Sequence, residues 1–537
     1  FAEMLDSDGK LYTDNYRSAL SADYYIASSD GVIEWRPTFT FHGYRYVELS
    51  GFSPNAKPEI NWVKAIVQYS DIKMNGTFTS SDGKLNQLQS NIVWSLRSNF
   101  LDIPTDCPQR DERLGWTGDV QVIAPTAIFN FDMYAFWNGY LQSLRQEQFD
   151  NGGIPIVVPN VLGKRSSSGW GDVCTILPWE LYQRTGDVEV LESNYETMKQ
   201  WIDFYRLKAK GRNYIPDNTS FSDWLQPFPK TGKSPGMVRR GDTPEDFVNT
   251  AYYARSVELT MKSAEVLGKQ DDVTKLQLLY DSIQLAFERE FFDADARTTS
   301  ETETQTQYLL ALEFGLLSDE HIPKATQHLM RVIGECDGHL RTGFLGTPIL
   351  PLVLDKVGET DVMYDIIFKE TYPSWFFSIN QGATTMWERW DSYTREKGFH
   401  KHGMNSFNHY AYGAIGQWLY ERVAGIKSLK PGYKEILIAP VPGGPLTSAE
   451  ASYNSPYGKV CSSWKIERDS FKLKATVPSN TSAKIIIPGE VSEELMLNGA
   501  VYHDNSKVKL QESNENGFTL SALPGTYEFE SSIKTYQ

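Results

Sequence analysis

The chain has 537 residues, a formal net charge of −16, and aromatic side chains at 13% of its positions. This length allows two or three domains with a large core. The acidic charge disfavours nucleic acid, an anionic membrane surface and a strongly anionic substrate as partners. No stretch is apolar enough to span a bilayer, and four widely spaced cysteines indicate neither a zinc site nor a disulfide framework.

The first 80 residues are predicted to form β-strands. Polar and apolar residues alternate over residues 38–41 and 44–49, and residues 62–69 are a third candidate. The Ser-Ser-Asp-Gly sequence at 80–83 then predicts a domain boundary and a helix cap. We therefore expect a β-sandwich over residues 1–80 that starts within a longer domain.

Hydrophobic residues recur at helical spacing after this boundary, beginning with Leu85, Leu88, Ile92 and Leu96. Further helices are predicted over residues 126–148, 188–208, 245–267, 271–292 and 307–314. The unusual aromatic and acidic residues lie in the connections between these helices. Such a pattern over residues 81–430 is typical of a barrel of helical hairpins with its functional face at one end.

Short alternating segments return after residue 430. Strands are predicted over residues 435–439, 471–477, 483–487 and 526–530, with turn residues between them. We expect a C-terminal β-sandwich over residues 431–537. The predicted fold class is multidomain α plus β, with a central helical barrel flanked by N-terminal and C-terminal β-sandwich domains.

The segment 106–119 carries the most chemical information. Its fourteen residues include four carboxylates, two arginines, a tryptophan, two glycines and a proline. A sugar offers hydroxyls to carboxylates and a C–H face to an indole. The alternative is a solvated charged loop at a helix start, where acidic residues are common. Trp116 and the paired glycines favour a sugar site, because a solvated loop does not require these residues.

Hydrolysis of a glycoside requires two carboxyl groups on opposite sides of the scissile bond. Glu112, which lies among other carboxylates, is the candidate general acid. Glu388 is the candidate general base because tryptophans lie close on both sides of it; the alternative is a glutamate on a helix surface. His409 lies in aromatic company, and the sequence leaves a structural and a catalytic role equally open.

Three tryptophans are candidates for the wall of a sugar subsite. Trp116, Trp170 and Trp224 each have an aspartate nearby in sequence, although core packing is the usual role of tryptophan in a helical domain. Other chemistries lack their motifs, since the sequence contains no GxSxG, HExxH, P-loop or GxGxxG pattern. Eight histidines and scattered cysteines argue against a transition-metal enzyme.

Residues 106–119 read Asp-x-Pro-x-Arg-Asp-Glu-Arg-x-Gly-Trp-x-Gly-Asp, which resembles the hallmark of the bacterial α-L-rhamnosidases of glycoside hydrolase family 78. Residues 384–390 and 404–409 look like two further segments of that family, in the expected order. Residues 39–47 look like the end of the β-sandwich that precedes its catalytic domain. The resemblance therefore covers nearly the whole chain.

The resemblance implies an (α/α)6 barrel flanked by β-sandwiches. It also implies an inverting exo-glycosidase that releases terminal α-L-rhamnose from an oligosaccharide, a polysaccharide or a plant glycoside, with Glu112 as general acid and Glu388 as general base. The predicted substrate-binding residues are Asp106, Arg110, Trp116, Asp119, Trp170, Asp172, Trp224, Trp387 and His409. Inversion predicts carboxyl groups roughly 6.5–9.5 Å apart. No metal or other cofactor is expected.

Three other functions stay open. The first is a glycosidase of the same barrel fold that acts on another terminal sugar, such as glucose. The second is a non-catalytic carbohydrate-binding protein, which would need no acid–base pair. The third is a polysaccharide lyase, which would need a Tyr, His or Lys base beside a basic patch. The sequence leaves the carrier of the rhamnose and the oligomeric state open. It contains no signal peptide, but we expect a periplasmic or secreted protein rather than a cytoplasmic one.

Overall fold

The structure, a computed structural model, describes residues 1–29, 31–229, 240–401, 404–489, 494–514 and 517–533. Helices dominate the middle of the chain, and most of the β-strands follow them. None of the described helices is both long enough and apolar enough to cross a membrane. The molecule is a mixed α and β multidomain protein, as the sequence predicted at that level.

The helices are α1 (Gly83–Asn99), α2 (Thr117–Asn130), α3 (Tyr134–Glu147), α4 (Val173–Thr185), α5 (Val188–Lys208), α6 (Glu245–Val266), α7 (Gln270–Phe291), α8 (Gln305–Glu313), α9 (Ile322–Gly334), α10 (Leu350–Lys356), α11 (Thr360–Ile367) and α12 (Trp375–Asn380). Successive helices pack on each other, as in the pairs α4 with α5, α6 with α7, and α8 with α9. The predicted helix over 188–208 is confirmed as α5. Those over 245–267 and 271–292 are confirmed within one residue as α6 and α7, and the one over 307–314 corresponds to α8.

The prediction of a single helix over residues 126–148 is wrong, because the helix is interrupted between α2 and α3. At the break, the N–H of Asp132 donates to the carbonyl of Lys73 (2.8 Å), and the N–H of Asn75 donates to the carbonyl of Asn130 (2.9 Å). Backbone pairing with the segment before α1 thus replaces the next helical turn. Helix α2 also begins earlier than predicted, so that Asp119 lies in its first turn.

The strands predicted over residues 38–41, 44–49 and 62–69 are wrong. Within these ranges the structure has only an isolated bridge from Tyr46 to Ala2, and a 3₁₀ turn, Ile60–Trp62, overlaps the last range. Alternating apolar residues form a strand only where a partner strand and a core cover one face. The described part of the chain supplies no such partner here, and side chains such as Val32, Phe39 and Ile60 are almost fully exposed.

The strands are β1 (Met4–Leu5), β2 (Leu11–Tyr12), β3 (Gly76–Ser80), β4 (Phe100–Leu101), β5 (Ile103–Pro104), β6 (Tyr393–Thr394), β7 (Gly398–Phe399), β8 (Ile426–Lys430), β9 (Glu435–Ile438), β10 (Ser448–Ser455), β11 (Gly458–Glu467), β12 (Ser470–Val477), β13 (Ser482–Ile487), β14 (Met496–Leu497), β15 (Ala500–Val501), β16 (Val508–Asn514), β17 (Gly517–Ala522) and β18 (Gly525–Ser532). The two large sheets have the strand orders β15-β14-β18-β12-β11-β10-β3 and β16-β17-β13-β9-β8. The four predicted C-terminal strands are confirmed as β9, β12, β13 and β18.

The helical region is joined to the C-terminal sheets at both of its ends. Strand β3 precedes the helices but pairs antiparallel with β10. Asp82 then caps α1, as predicted, by accepting a hydrogen bond from the N–H of Leu85 (2.7 Å). At the other end, the indole N–H of Trp464 on β11 donates to the carbonyl of Val423 (2.7 Å). The division of the chain at residues 80 and 430 stays a prediction.

Candidate active site

The loop 106–119 is closed on itself before it enters α2. The N–H of Asp106 donates to the carbonyl of Leu114 (2.9 Å), and the N–H of Leu114 donates to Oδ1 of Asp106 (2.9 Å). A Cβ at Gly115 would lie 2.1 Å from the carbonyl oxygen of Val158, so only glycine fits there. The glycines and the first aspartate of the motif therefore have a local structural role, and they hold the charged side chains between them.

Arg110 connects the two candidate catalytic carboxylates. Its Nη1 lies 2.7 Å from Oε2 of Glu388, and its Nη2 lies 3.2 Å from Oε1 of the same group. The same Nη2 lies 2.6 Å from Oε2 of Glu112 and 3.5 Å from Oδ2 of Asp106. One buried guanidinium thus contacts three acids that come from two distant parts of the chain.

Glu388 is held as a carboxylate. Its backbone N–H donates to the carbonyl of Ser406 (2.9 Å), and the N–H of Ser406 donates back to Oε2 of Glu388 (2.9 Å). Burial alone would raise the pKa of Glu388, but the Arg110 guanidinium, His409 and the Ser406 N–H outweigh it and lower the pKa to about 2. Glu388 is therefore ionised at neutral pH, as a general base must be.

Glu112 is the more accessible of the two glutamates. Its side chain is 13% exposed, against 1% for Glu388. Besides Arg110, its Oε2 has a second cation, Nη1 of Arg17, at 3.1 Å. Because a single Arg110 nitrogen contacts both glutamates, their nearest oxygens lie closer together than the roughly 6.5 Å lower limit for whole carboxyl groups in inverting enzymes.

His409 lies between two of the predicted sugar-binding aspartates. Its Nε2 lies 2.8 Å from Oδ1 of Asp119, and its Nδ1 lies 3.9 Å from Oδ2 of Asp106. Burial alone would lower the pKa of His409, but the charges of Glu388 and Asp119 raise it to about 9. Burial, together with the charge of Glu112, raises the pKa of Asp106 to about 7. His409 is therefore a cation beside Asp119 at neutral pH.

Several buried polar atoms of these residues make no hydrogen bond within the described parts of the chain. They are Oδ2 of Asp106, Nε of Arg110, Oε2 of Glu112, which has only ion-pair contacts, Nδ1 of His409 and the indole nitrogens of Trp116 and Trp170. Buried polar groups in proteins are otherwise nearly always satisfied. Two indole donors, a carboxyl oxygen and a ring nitrogen are the kind of groups that the hydroxyls of a sugar would satisfy.

The structure brings the three predicted subsite tryptophans together. Trp116, Trp170 and Trp224 surround Phe221, with ring centroids 5.9, 4.8 and 5.7 Å from the phenyl ring, respectively. Phe221 was not predicted from the sequence, although it directly precedes the Ser-Asp-Trp sequence at 222–224. The four rings form an aromatic wall of the kind that packs on a sugar's apolar face.

Asp172, a predicted substrate-binding residue, is surrounded by protein donors, and its contact with substrate stays a prediction. Asp172 accepts hydrogen bonds from the indole of Trp201 (2.9 Å), the hydroxyls of Tyr205 and Ser256, and the N–H of Gly169 (2.8 Å). Burial raises the pKa of Asp172 to about 6. These contacts give Asp172 a structural role between α4, α5 and α6.

Trp387 lies in a second, smaller apolar cluster. Its ring packs edge-on against Phe407, at a centroid distance of 5.2 Å, and Met4 belongs to the same cluster. The indole thus supports the backbone beside Glu388. Its proposed contact with substrate stays a prediction.

One group of side chains has ligand atoms close enough to hold a metal. Oxygens of Asp106 and Glu112 and the sulfur of Cys107 lie within 4.8 Å of one another. The Arg110 guanidinium already places its positive charge beside both acids. A divalent cation would face that charge directly, so the residues fit a metal poorly, and the expectation of no cofactor stays a prediction.

Three residues near the carboxylates were not identified from the sequence. Arg17 contacts Glu112, and Ser406 pairs with Glu388. Glu3, which is buried, accepts hydrogen bonds from the side chain of Asn15 (3.0 Å) and the N–H of Phe407 (3.2 Å). Glu3 and Arg17 lie near the start of the chain, where no sequence motif distinguishes them from their neighbours.

Three family models match this chain. The bacterial alpha-L-rhamnosidase 6 hairpin glycosidase domain matches residues 73–423, the C-terminal domain of that family matches residues 425–501, and its concanavalin-like domain matches residues 1–69.

Curated relatives carry the same description. An alpha-L-rhamnosidase of Formosa agariphila is 56% identical over 531 residues, covering 99% of this chain and 56% of that protein. An alpha-L-rhamnosidase of an Alteromonas species is 49% identical over 494 residues, covering 92% of this chain and 53% of that protein. The chain thus spans about half the length of these relatives.

Solved structures are similar over the same range. A Streptomyces avermitilis alpha-L-rhamnosidase complexed with L-rhamnose has a TM-score of 0.91 and 36% identity, covering 99% of this chain and 49% of that one. The alpha-L-rhamnosidase of Dictyoglumus thermophilum has a TM-score of 0.91 and 34% identity, covering 99% of this chain and 58% of that one. One family model covers residues 73–423, which is most of the chain, and the two curated relatives are 56% and 49% identical to it in sequence. The chain therefore belongs to the bacterial α-L-rhamnosidases of glycoside hydrolase family 78.

Proposed function

We propose that this chain hydrolyses terminal α-L-rhamnosides with inversion, with Glu112 as general acid and Glu388 as general base. The observation that carries the choice of this pair is the bridge through Arg110, which assembles the two glutamates from distant segments. The inverting stereochemistry is what the resemblance to the family implies. Glu388, with its pKa lowered to about 2, is in the ionised form that activates a water. Glu112, the more exposed of the two, is the one that a leaving group can reach.

In this mechanism Glu112 donates its proton to the glycosidic oxygen as the bond from that oxygen to the anomeric carbon breaks. Glu388 accepts a proton from a water molecule, whose oxygen bonds to the anomeric carbon from the opposite face. The products are rhamnose and the free alcohol. Glu112 is left ionised and Glu388 protonated, and proton exchange with solvent restores both.

Recognition of the sugar falls to the residues around this pair. Asp106, Asp119 and the cation of His409 offer acceptors and a donor for ring hydroxyls. Rhamnose is a 6-deoxy sugar, so its methyl group requires an apolar surface, which the rings around Phe221 supply. The rhamnose complex of the Streptomyces avermitilis relative, at 36% identity, supports this choice of sugar.

The proposed scaffold is an (α/α)6 barrel with these residues at one end. Three observations support it: the matched family domain is a 6 hairpin glycosidase domain, successive helices pack as neighbours, and the loop 106–119 lies in a connection between helices. Strands β8 to β18 form the sheets beside the barrel, together with β3.

The test is the release of nitrophenol from p-nitrophenyl α-L-rhamnopyranoside by the wild type, Glu112→Gln and Glu388→Gln. Loss of either acid–base partner is expected to lower kcat/KM by about 10²–10⁴-fold, with circular dichroism unchanged. Glu196→Gln on α5, where the side chain is 74% exposed, is the matched control and should keep wild-type activity.

Three results would contradict the proposal. Full activity in either variant would remove that residue from the mechanism. Preferential turnover of p-nitrophenyl α-D-glucopyranoside would indicate the same scaffold with another terminal sugar. Rhamnose binding by a folded wild type without any turnover would indicate a carbohydrate-binding protein.

A further inference from the structure

The first eighteen residues contact both segments that carry the catalytic glutamates. Met4 lies in the apolar cluster of Trp387 and Phe407, and Tyr12 stacks on Phe399 with ring centroids 3.6 Å apart. On the other side, the Ser18 hydroxyl donates to Oδ2 of Asp111 (2.7 Å). This N-terminal segment, residues 1–18, therefore joins loop 106–119 to the region around Glu388.

Arg17 is the residue of this segment that reaches a catalytic group. Its Nη1 lies 3.1 Å from Oε2 of Glu112 and 3.4 Å from Oδ1 of Asp111. Its backbone has a φ of 59°, in the left-handed region that non-glycine residues rarely adopt. The structure therefore holds this residue in a strained turn, and its guanidinium faces the loop 106–119.

The turn that presents Arg17 is itself anchored in the interior. The two residues before Arg17 are buried. The side chain of Asn15 donates to the buried carboxyl group of Glu3 (3.0 Å), and the hydroxyl of Tyr16 donates to the carbonyl of Gly43 (3.1 Å). An arginine fixed at both its backbone and its head group can hold its partner in one position.

We propose that Arg17 is a positioning residue for the general acid: it holds the Glu112 carboxyl group where that group can protonate the glycosidic oxygen. Arg110 divides its guanidinium between Glu112 and Glu388, and Arg17 adds a second, separately anchored contact to the same oxygen of Glu112. The inference rests on the proposed role of Glu112. Among the described residues, the charged or titratable groups that face Glu112 are Arg17, Arg110, Asp106, Cys107 and Asp119.

A series of aryl α-L-rhamnosides with leaving groups of increasing basicity tests the inference. A basic leaving group needs protonation by the acid, whereas 2,4-dinitrophenolate leaves with little help. Arg17→Gln is therefore expected to lower kcat/KM about tenfold on phenyl α-L-rhamnoside and less than about twofold on the dinitrophenyl substrate. Arg17→Lys, which keeps a cation, should recover part of the loss. If Arg17→Gln folds poorly, the leaving-group series is measured on Arg17→Lys.

The control is Ser18→Ala, which removes a hydrogen bond across the same contact without touching Glu112, and which should behave as wild type with every leaving group. A loss in Arg17→Gln that is equal for all leaving groups would overturn the inference, since it would mean general disruption of the site. So would no loss at all. Glu112→Gln is measured in parallel. If it shows no dependence on the leaving group, the proposed function itself fails; if only Arg17→Gln lacks the dependence, the inference alone fails.

Discussion

Two pairs of buried aspartates, Asp172 with Asp223 and Asp106 with Asp119, differ in which groups form hydrogen bonds to their carboxylate oxygens. Asp172 accepts hydrogen bonds from an indole, a phenol, a hydroxyl and a backbone N–H. Asp223 accepts them from three backbone N–H groups and a threonine hydroxyl. Asp106 uses one oxygen to close its loop and has no described hydrogen bond to the other, while Asp119 contacts the cation of His409.

The difference separates carboxylates that serve the fold from carboxylates that can serve a ligand. A buried acid whose partners are all protein donors holds helices and loops together. A buried acid with an oxygen that lacks a hydrogen bond can accept one from a hydroxyl of a bound sugar. Asp119 and Asp172 both lie within three residues of a tryptophan, so sequence proximity to an indole could not distinguish the two kinds.

The largest expected effect is the removal of the cation at the centre of the candidate site. Arg110→Met leaves the buried Glu388 without its partner and removes one of the two cations beside the partly exposed Glu112, which is expected to cost about 3–5 kcal/mol of unfolding free energy at pH 7 and to abolish activity. Urea denaturation measures the cost. Arg206→Met, at an exposed ion pair on α5, should change the unfolding free energy by less than about 1 kcal/mol. Equal costs in the two variants would contradict the prediction.

The next effect compares one aspartate from each pair. Asp106→Asn should lower kcat/KM about 10–100-fold, because a hydrogen bond from sugar to carboxylate is lost. Its stability should change little, since burial already raises the pKa of Asp106 to about 7 and Asn keeps the oxygen that closes the loop.

Asp172→Asn should show the reverse pattern. Its new NH2 group would face donors, which costs about 1–3 kcal/mol of unfolding free energy. The kcat/KM of the folded protein should stay within about twofold of wild type. Steady-state kinetics and chemical denaturation of both variants provide the check. Two variants that lose the same property would remove the distinction between the two pairs.

The pH dependence of stability gives a third comparison. The raised pKa of His409, about 9 against an ordinary 6.5, means that its stabilising charge is fully present below pH 6.5 and is lost as pH rises through 9. The unfolding free energy of the wild type should therefore decline between pH 6.5 and 9 more steeply than that of His409→Gln. Parallel slopes from urea denaturation across this range would show that His409 carries no extra proton in the folded state.

The smallest effect concerns two indole N–H groups. Trp170 has no described partner for its N–H, whereas Trp201 donates to Asp172. Trp170→Phe should raise KM about threefold to tenfold through one lost hydrogen bond to substrate, with little change in melting temperature. Trp201→Phe should lower the melting temperature and leave KM unchanged. If Trp170→Phe alters only stability, its nitrogen is not part of the sugar site.

The parts of the fold that could be predicted from the sequence are those with strong local signals. Helix α5 was predicted at both ends because its apolar residues repeat at helical spacing, and the structure adds a cap at its start from Asp187. The break between α2 and α3 could not be predicted, because it depends on backbone pairing with residues 73–75. The N-terminal strands were wrong because alternation marks a strand only where a partner is present.

In the candidate site, too, local signals point to some residues and not to others. Glu112 and Asp119 could be named as candidates because the composition of loop 106–119 is itself distinctive, although their partners Arg17 and His409 come from distant parts of the chain. Arg110 was included, but its bridge to Glu388 spans hundreds of residues and no local pattern reveals it. Arg17 and Glu3 have no local signal at all, since they act only through contacts that the fold creates.

The configuration of the first-formed sugar tests the proposed mechanism most directly. Proton NMR during hydrolysis of p-nitrophenyl α-L-rhamnopyranoside, recorded before mutarotation, distinguishes the two anomers of the released rhamnose. Displacement by a water that Glu388 activates gives β-L-rhamnose first. Initial appearance of α-L-rhamnose would mean retention through a covalent intermediate. Glu388 would then be a nucleophile, in keeping with the short approach of the two glutamates across Arg110.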